Sequence, residues 1–315
     1  MNIHRAIIRG ALAIASINMG IAADQASFSQ GRGTTVVPKL YECMGGRPTP
    51  VGTVKSGDGR TWTVPAENNF QNGPRAPDFY NQCNNVRPAK LSDVAVDRLP
   101  VTEIDRDGEV VTGYLMADNY FELYINGRLV GVDAVPFTPF NSSVVRFRVK
   151  KPYTIAVKLV DWEENVALGS EAGGGGGFHP GDGGFIARFS DGTVTDASWK
   201  AQAFYIGPLA SPSDVTERGN VHDTSKLQRT YPQAPAQAAC ADKCYMAHYP
   251  IAGDWASASF RDADWPPAVL FTKAEMGLDN QAAYRFAPEA FGDAQVIWSM
   301  NLVYDNLVLA RRTVR

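Results

Sequence analysis

Histidine and cysteine are both scarce in this chain, four of each among 315 residues. Only His179, His222 and His248 lie beyond residue 23, so nucleophile–histidine catalysis and histidine-rich metal centres have few residues to draw on. The segment Leu168-Gly169-Ser170-Glu171-Ala172 lacks the G-x-S-x-G pattern of a nucleophile elbow. A basic excess is absent too. With 30 basic against 33 acidic residues and a net charge of −3, the sequence gives no electrostatic reason to expect a nucleic acid partner. Beyond the N-terminus no apolar run approaches the ~20 residues of a transmembrane segment. The five glycines at 173–177 are not followed by Gly-Lys-Ser/Thr, which excludes a phosphate loop. What remains is globular: 44% hydrophobic and 20% charged residues suffice for a large core, in one β domain or one domain with a smaller companion.

The first 23 residues have the parts of a secretory signal. His4, Arg5 and Arg9 form a basic start, residues 11–22 are apolar, and Gly20, Ala22 and Ala23 precede Asp24. The alternative, a membrane anchor, is disfavoured by the short run and its Ser16 and Asn18. Cleavage implies a secreted or periplasmic product. Four cysteines in an oxidising compartment then favour two disulfides. Of the three pairings, Cys43–Cys83 and Cys240–Cys244 are preferred, because the first pair flanks a loop-rich segment and the second is four residues apart in Ala-rich sequence. A metal site at Cys240 and Cys244 with His248 is the weaker alternative, lacking C-x-x-C spacing and a second cysteine pair.

Residues 24–95 are rich in Gly, Pro and Asn and read as an irregular, disulfide-tied leader with one strand candidate at 61–64. From 96 to 315 short alternating segments bounded by turns predict an all-β protein, an antiparallel β-sandwich or jelly roll. Phe121, Leu123 and Ile125 alternate with Tyr120, Glu122 and Tyr124 before Asn126-Gly127, a type I′ hairpin signal. Val145, Phe147 and Val149, then Tyr153, Ile155, Val157 and Leu159, repeat the pattern, predicting one core face and one wet face. Asp191-Gly192 marks another hairpin. Glu103 to Gly108 imitates the start of a Ca²⁺ loop, but Tyr114 stands at the twelfth position, which favours an Asp-Gly turn. Residues 211–235 read as a long surface connection, and helix is confined to short pieces at 236–247 and 272–276.

Several motifs carry a resemblance. The stretch Tyr120-Phe121-Glu122-Leu123-Tyr124-Ile125-Asn126-Gly127, the strand ending at Asp161-Trp162, and Asp191-Gly192 with Thr195-Asp196-Ala197-Ser198-Trp199-Lys200 are three of them. Phe260-Arg261-Asp262-Ala263-Asp264-Trp265-Pro266-Pro267-Ala268 and Ile297-Trp298 with the strand from Asp305 to Arg311 complete the set. Together they resemble the galactose-binding-like jelly rolls that accompany many secreted glycosidases, over residues 110–312. The family places the last two segments before the Asn-Gly hairpin, whereas here they follow it, a rearranged jelly roll or a partial second copy. The resemblance implies a binding or structural module.

The segment most open to chemistry joins two predicted strands. Asp161, Trp162, Glu163 and Glu164 precede the glycine run, and His179 and Asp182 follow it. Glycine lets backbone approach a ligand, a ring stacks on a pyranose while carboxylates accept its hydroxyl protons, and Asp161, Glu164, His179 and Asp182 are the donors for Ca²⁺ or another divalent metal. The alternative is a solvated loop in which Trp162 caps the core. Trp199, Trp255, Trp265 and Trp298 read mainly as packing between sheets. No catalytic residue is assigned. The sequence thus predicts a secreted carbohydrate-binding β-sandwich, with an extracellular polysaccharide hydrolase or lyase and an envelope assembly scaffold as alternatives.

Overall fold

The computed structural model describes residues 25–172, 177–227 and 240–315. The signal reading at 1–23, the glycines at 173–176 and the start of the 236–247 helix lie outside them. The N-terminal part holds β1 (Ser27–Gln30), β2 (Thr34–Val37), β3 (Val51–Lys55), β4 (Thr61–Val64) and β5 (Asp78–Tyr80). The middle holds β6 (Thr102–Glu103), β7 (Glu109–Asp118), β8 (Tyr120–Ile125), β9 (Arg128–Val132), β10 (Ser142–Val149), β11 (Tyr153–Val160), β12 (Gly184–Phe189) and β13 (Lys200–Leu209). Then come β14 (Thr216–Arg218), β15 (Val221–Asp223), β16 (Tyr245–His248), β17 (Val269–Phe271), β18 (Val296–Trp298) and β19 (Asp305–Val314).

These strands form the expected antiparallel sandwich. One sheet runs β1-β16-β13-β19-β11-β8-β9, the other β17-β18-β12-β7-β10-β5 with β6 parallel to β10. Alternation explains the core. Phe121, Leu123 and Ile125 stand opposite Leu159, Val157 and Ile155, and all six are buried. The facing sheet presents Val111, Leu115, Phe147, Phe185 and Phe189. The β8–β9 turn has φ of 50° at Asn126 and 85° at Gly127, the positive pair that a type I′ hairpin requires.

Four expectations change. Residues 24–95 carry five strands; β1 and β5 belong to the main sheets, and β2, β3 and β4 make a sheet of their own. Residues 245–248 are strand instead of helix, because their backbone pairs with both β1 and β13, and 272–276 is a turn. The 211–235 connection contains the β14–β15 hairpin, which buries His222 and Asp223. The predicted wet face holds for Arg146 and Arg148 on β10 but not for β11, where Thr154, Ala156 and Lys158 are buried as well. The N-terminal segment and residues 249–257 cover that outer face: Asn69 donates to Glu122, Lys158 Nζ donates to the Glu67 carbonyl at 3.0 Å, and Trp255 packs edge-on against Tyr124. Both disulfides form as expected, Cys43–Cys83 and Cys240–Cys244. The pairing removes the alternative metal set at Cys240, Cys244 and His248.

Candidate functional site

The 161–182 rim brings some predicted residues together and removes others from use. Trp162 is 1% exposed; its ring packs edge-on against Tyr120 and its Nε1 donates to the Pro50 carbonyl at 3.1 Å. It caps the core and offers no face to a sugar. Glu163 is buried and accepts from the N–H groups of Ala167, Leu168 and Gly169 and from the Tyr205 hydroxyl. It pins a loop, and burial pushes its pKa up to about 7 against those donors. Glu164 is held by Arg47 at 2.6 Å and also accepts from Ala172 N–H. Burial opposes its ionisation, but the Arg47 bonds win and hold it below its ordinary value.

Asp161 and Asp182 do share an environment, with Asp118 and Glu171, which sequence reasoning missed. Burial raises all four carboxyls; Asp118, Asp161 and Asp182 are raised further by others of the four and Glu171 by Glu164, and Asp182 reaches about 7. Arg47 also bonds Glu171 at 2.8 Å, and His179 joins the rim through backbone bonds with Glu171. Oδ1 of Asp161 is buried with no hydrogen-bond partner. The metal set Asp161, Glu164, His179 and Asp182 is not assembled: among the described residues no group of three or more His, Cys, Asp or Glu side chains is placed to hold a metal ion. The physical reason is that Arg47 already occupies Glu164 and supplies the positive charge.

The outer face of the β1–β9 sheet carries a different constellation. Glu122, Lys158, Leu309 and Gln202 form one row across β8, β11, β19 and β13. Glu122, fully buried, lies 3.2 Å from Lys158 and accepts from the Tyr124 hydroxyl at 2.6 Å. Burial alone would raise its pKa, yet Lys158 and these donors lower it. Over this row open two adjoining cavities of about 250 and 430 Å³ that share Phe204, Tyr249 and Trp255 as walls. The smaller adds Phe260 and Trp265 beside Gln202, Asn220, Arg261 and Asp264. The larger adds Trp62, Glu67 and Lys158.

The rings are fixed by stacking. His248 lies between Trp62 and Tyr205, at 5.2 and 5.0 Å between centroids. Burial lowers its pKa to about 3, so it is neutral, and its Nε2 is 2.7 Å from Ser29 Oγ. Ser29 is 1% exposed, which denies this Ser–His pair any substrate. His222 stacks on Tyr249 and its Nδ1 donates to the Ala203 carbonyl at 2.6 Å, which fixes the tautomer. Trp199, Trp298, Trp255 and Trp265 are all buried core residues as expected, and Trp255 and Trp265, each 7% exposed, also border the cavities. A signal for this site was present: residues 254–265 interleave Trp255, Phe260 and Trp265 with Asp, Ser and Arg, without strand alternation.

Comparison with known protein families, with curated proteins and with solved structures finds no match to this chain. Among the described residues no helix is long and apolar enough to cross a membrane.

Proposed function

We propose that this protein is a carbohydrate-binding β-sandwich whose ligand face is the pair of aromatic cavities over the outer face of the β1–β9 sheet, not the 161–182 rim. The observation that supports this most is the shared wall of Phe204, Tyr249 and Trp255, flanked by Gln202, Asn220, Arg261 and Asp264. Ring faces take the C–H face of a pyranose, while amides, guanidinium and carboxylate at the edge exchange hydrogen bonds with its hydroxyls. Because the rings are held by stacked and edge-on contacts with other rings, little side-chain freedom is lost on binding. The resemblance to galactose-binding-like modules points the same way, and the two disulfides fit an oxidising compartment outside the cytoplasm.

The test is affinity electrophoresis of the purified protein through a panel of neutral polysaccharides, with tryptophan fluorescence as a second readout. Phe260 is half-buried at the edge of the core and Asp264 is exposed, so neither Phe260→Ala nor Asp264→Ala removes a fully buried side chain. Each is expected to weaken retention about tenfold, the equivalent of about 1.4 kcal/mol, with an unchanged circular dichroism spectrum. Retention by the wild type that survives both substitutions would exclude this face, and no retention on any polysaccharide would exclude the function.

A further inference from the structure

The segment 260–265 also borders a second cleft, of about 570 Å³, to which it contributes Asp262. Its other charged walls are Lys151, Asp191, Asp196, Lys200, Arg311, Arg312 and the exposed Arg315. Each carboxylate there is already engaged. Asp262 accepts from Arg311 Nε at 2.8 Å, Asp191 accepts from the Tyr153 hydroxyl at 2.9 Å and lies 3.3 Å from Lys151, and Asp196 accepts from both the backbone and the hydroxyl of Ser198. Arg311 is used up as well, since it also donates to the carbonyls of Trp255 and Ser257.

Lys200 and Arg312 differ. Lys200 Nζ donates to the Trp265 carbonyl at 2.9 Å and Arg312 Nη1 to the Ser198 carbonyl at 3.0 Å, and among the described residues neither has a carboxylate within ion-pair distance. A carbonyl oxygen fixes a cation's position without cancelling its charge. Both line this cleft, Lys200 opposite Arg311 on one face of the paired strands and Arg312, the next residue on β19, from the other. Both side chains belong to half-buried residues, where a charge is less screened than on an open surface. The result is two positioned, uncompensated cations in one cleft of a chain whose net charge is −3.

We propose that this cleft binds an oxyanion, a carboxylate, sulfate or phosphate group, through Lys200 and Arg312. Guanidinium forks and ammonium groups bind such groups by charge-assisted hydrogen bonds, and both cations keep N–H groups beyond the one each gives to a carbonyl. The cleft is separate from the aromatic face: a neutral sugar needs no cation, and an oxyanion needs no ring.

The experiment titrates inorganic sulfate, inorganic phosphate and a sulfated oligosaccharide into the full chain, followed by backbone amide shifts of residues 191–200 and by calorimetry. Saturable shifts are expected that weaken as ionic strength rises. Lys200→Gln with Arg312→Gln is expected to weaken binding at least tenfold, and Arg312→Lys, which keeps the charge, to lose less. Response to the inorganic ions assigns the site to the anion itself, and response to the oligosaccharide alone assigns it to a sugar-borne anion; either supports the proposal. Equal binding by wild type and the double glutamine variant, or no response to any of the three, overturns it. Retention of the double variant on neutral polysaccharide is read separately, so loss of this site and loss of the aromatic face are distinguishable.

Discussion

Asp161 and Glu163 are two residues apart, both buried carboxyls, and the protein treats them differently. Glu163 is given three backbone donors and a tyrosine hydroxyl, whereas Asp161 leaves Oδ1 unpartnered and feels Asp118, Asp182, Glu171 and Glu163, with Arg47 acting in the opposite sense. Ionising Asp161 in that setting is costly, first because it is buried and second because its neighbours are acids. A carboxyl raised in the folded state contributes stability that is full below its unfolded pKa, ordinarily 3.8, and is lost as pH rises through the folded value. Asp161→Asn cannot ionise and so does not lose that contribution. Its stability relative to wild type should therefore rise as pH goes from about 4 to about 8, measured by urea unfolding at each pH. Taking the difference at each pH cancels the opposite contribution of His248, which is full above 6.5 and lost as pH falls toward about 3. A difference that stays flat across this range refutes the assignment.

The elements legible in the sequence are those whose own residues decide them. The β8–β9 hairpin was readable because alternation and Asn126-Gly127 agree, and the strands β10, β11 and β12 because their apolar sides repeat every second residue. Strands β2 and β3 were not, since Thr34-Thr35-Val36-Val37 and Val51-Gly52-Thr53-Val54-Lys55 are short and their valines do not recur at every second residue. Strand β16 was misread because Ala-rich sequence favours helix, and only pairing with β1 and β13 overrides that preference. In the candidate site the acids at 161–182 were visible but their partners were not: Arg47 lies 117 residues from Glu164. Sheet interiors also carry constraints that alternation does not declare. On β7, a Cβ on Gly113 would lie 2.6 Å from the Phe189 ring of β12 and 3.3 Å from Val145 of β10. Gly113→Ala should therefore destabilise the sandwich by about 1–3 kcal/mol through overpacking, and Phe189→Leu in the same chain should recover part of that. Thermal unfolding of the single and double variants tests it; additive losses would show that the two positions do not compete for space.

At the scale of the whole molecule the N-terminal segment closes the outer face of one sheet and thereby creates both candidate features. The 40-residue span between Cys43 and Cys83 supplies Arg47 to the acidic rim, Trp62 and Glu67 to the larger cavity, and Asn69 to Glu122. Cys240–Cys244 closes only a four-residue span at the start of β16. In the chain-entropy account a cross-link stabilises according to the length of loop it closes, which gives about 4 kcal/mol for the first and about 2 kcal/mol for the second. Replacing Cys43 and Cys83 by serine should therefore cost more than replacing Cys240 and Cys244, by about 2 kcal/mol in urea unfolding. Hydrogen exchange adds a spatial criterion, because β1 and β5 of the segment pair within the sandwich whereas β2, β3 and β4 pair among themselves. Loss of the long cross-link should speed exchange in β3 and β4 while β11 and β19, each paired on both sides, keep their protection. Equal stability losses, or faster exchange spread evenly over the sandwich, would mean that the cover and the sheets unfold as one unit and that the long disulfide has no particular hold on the cover.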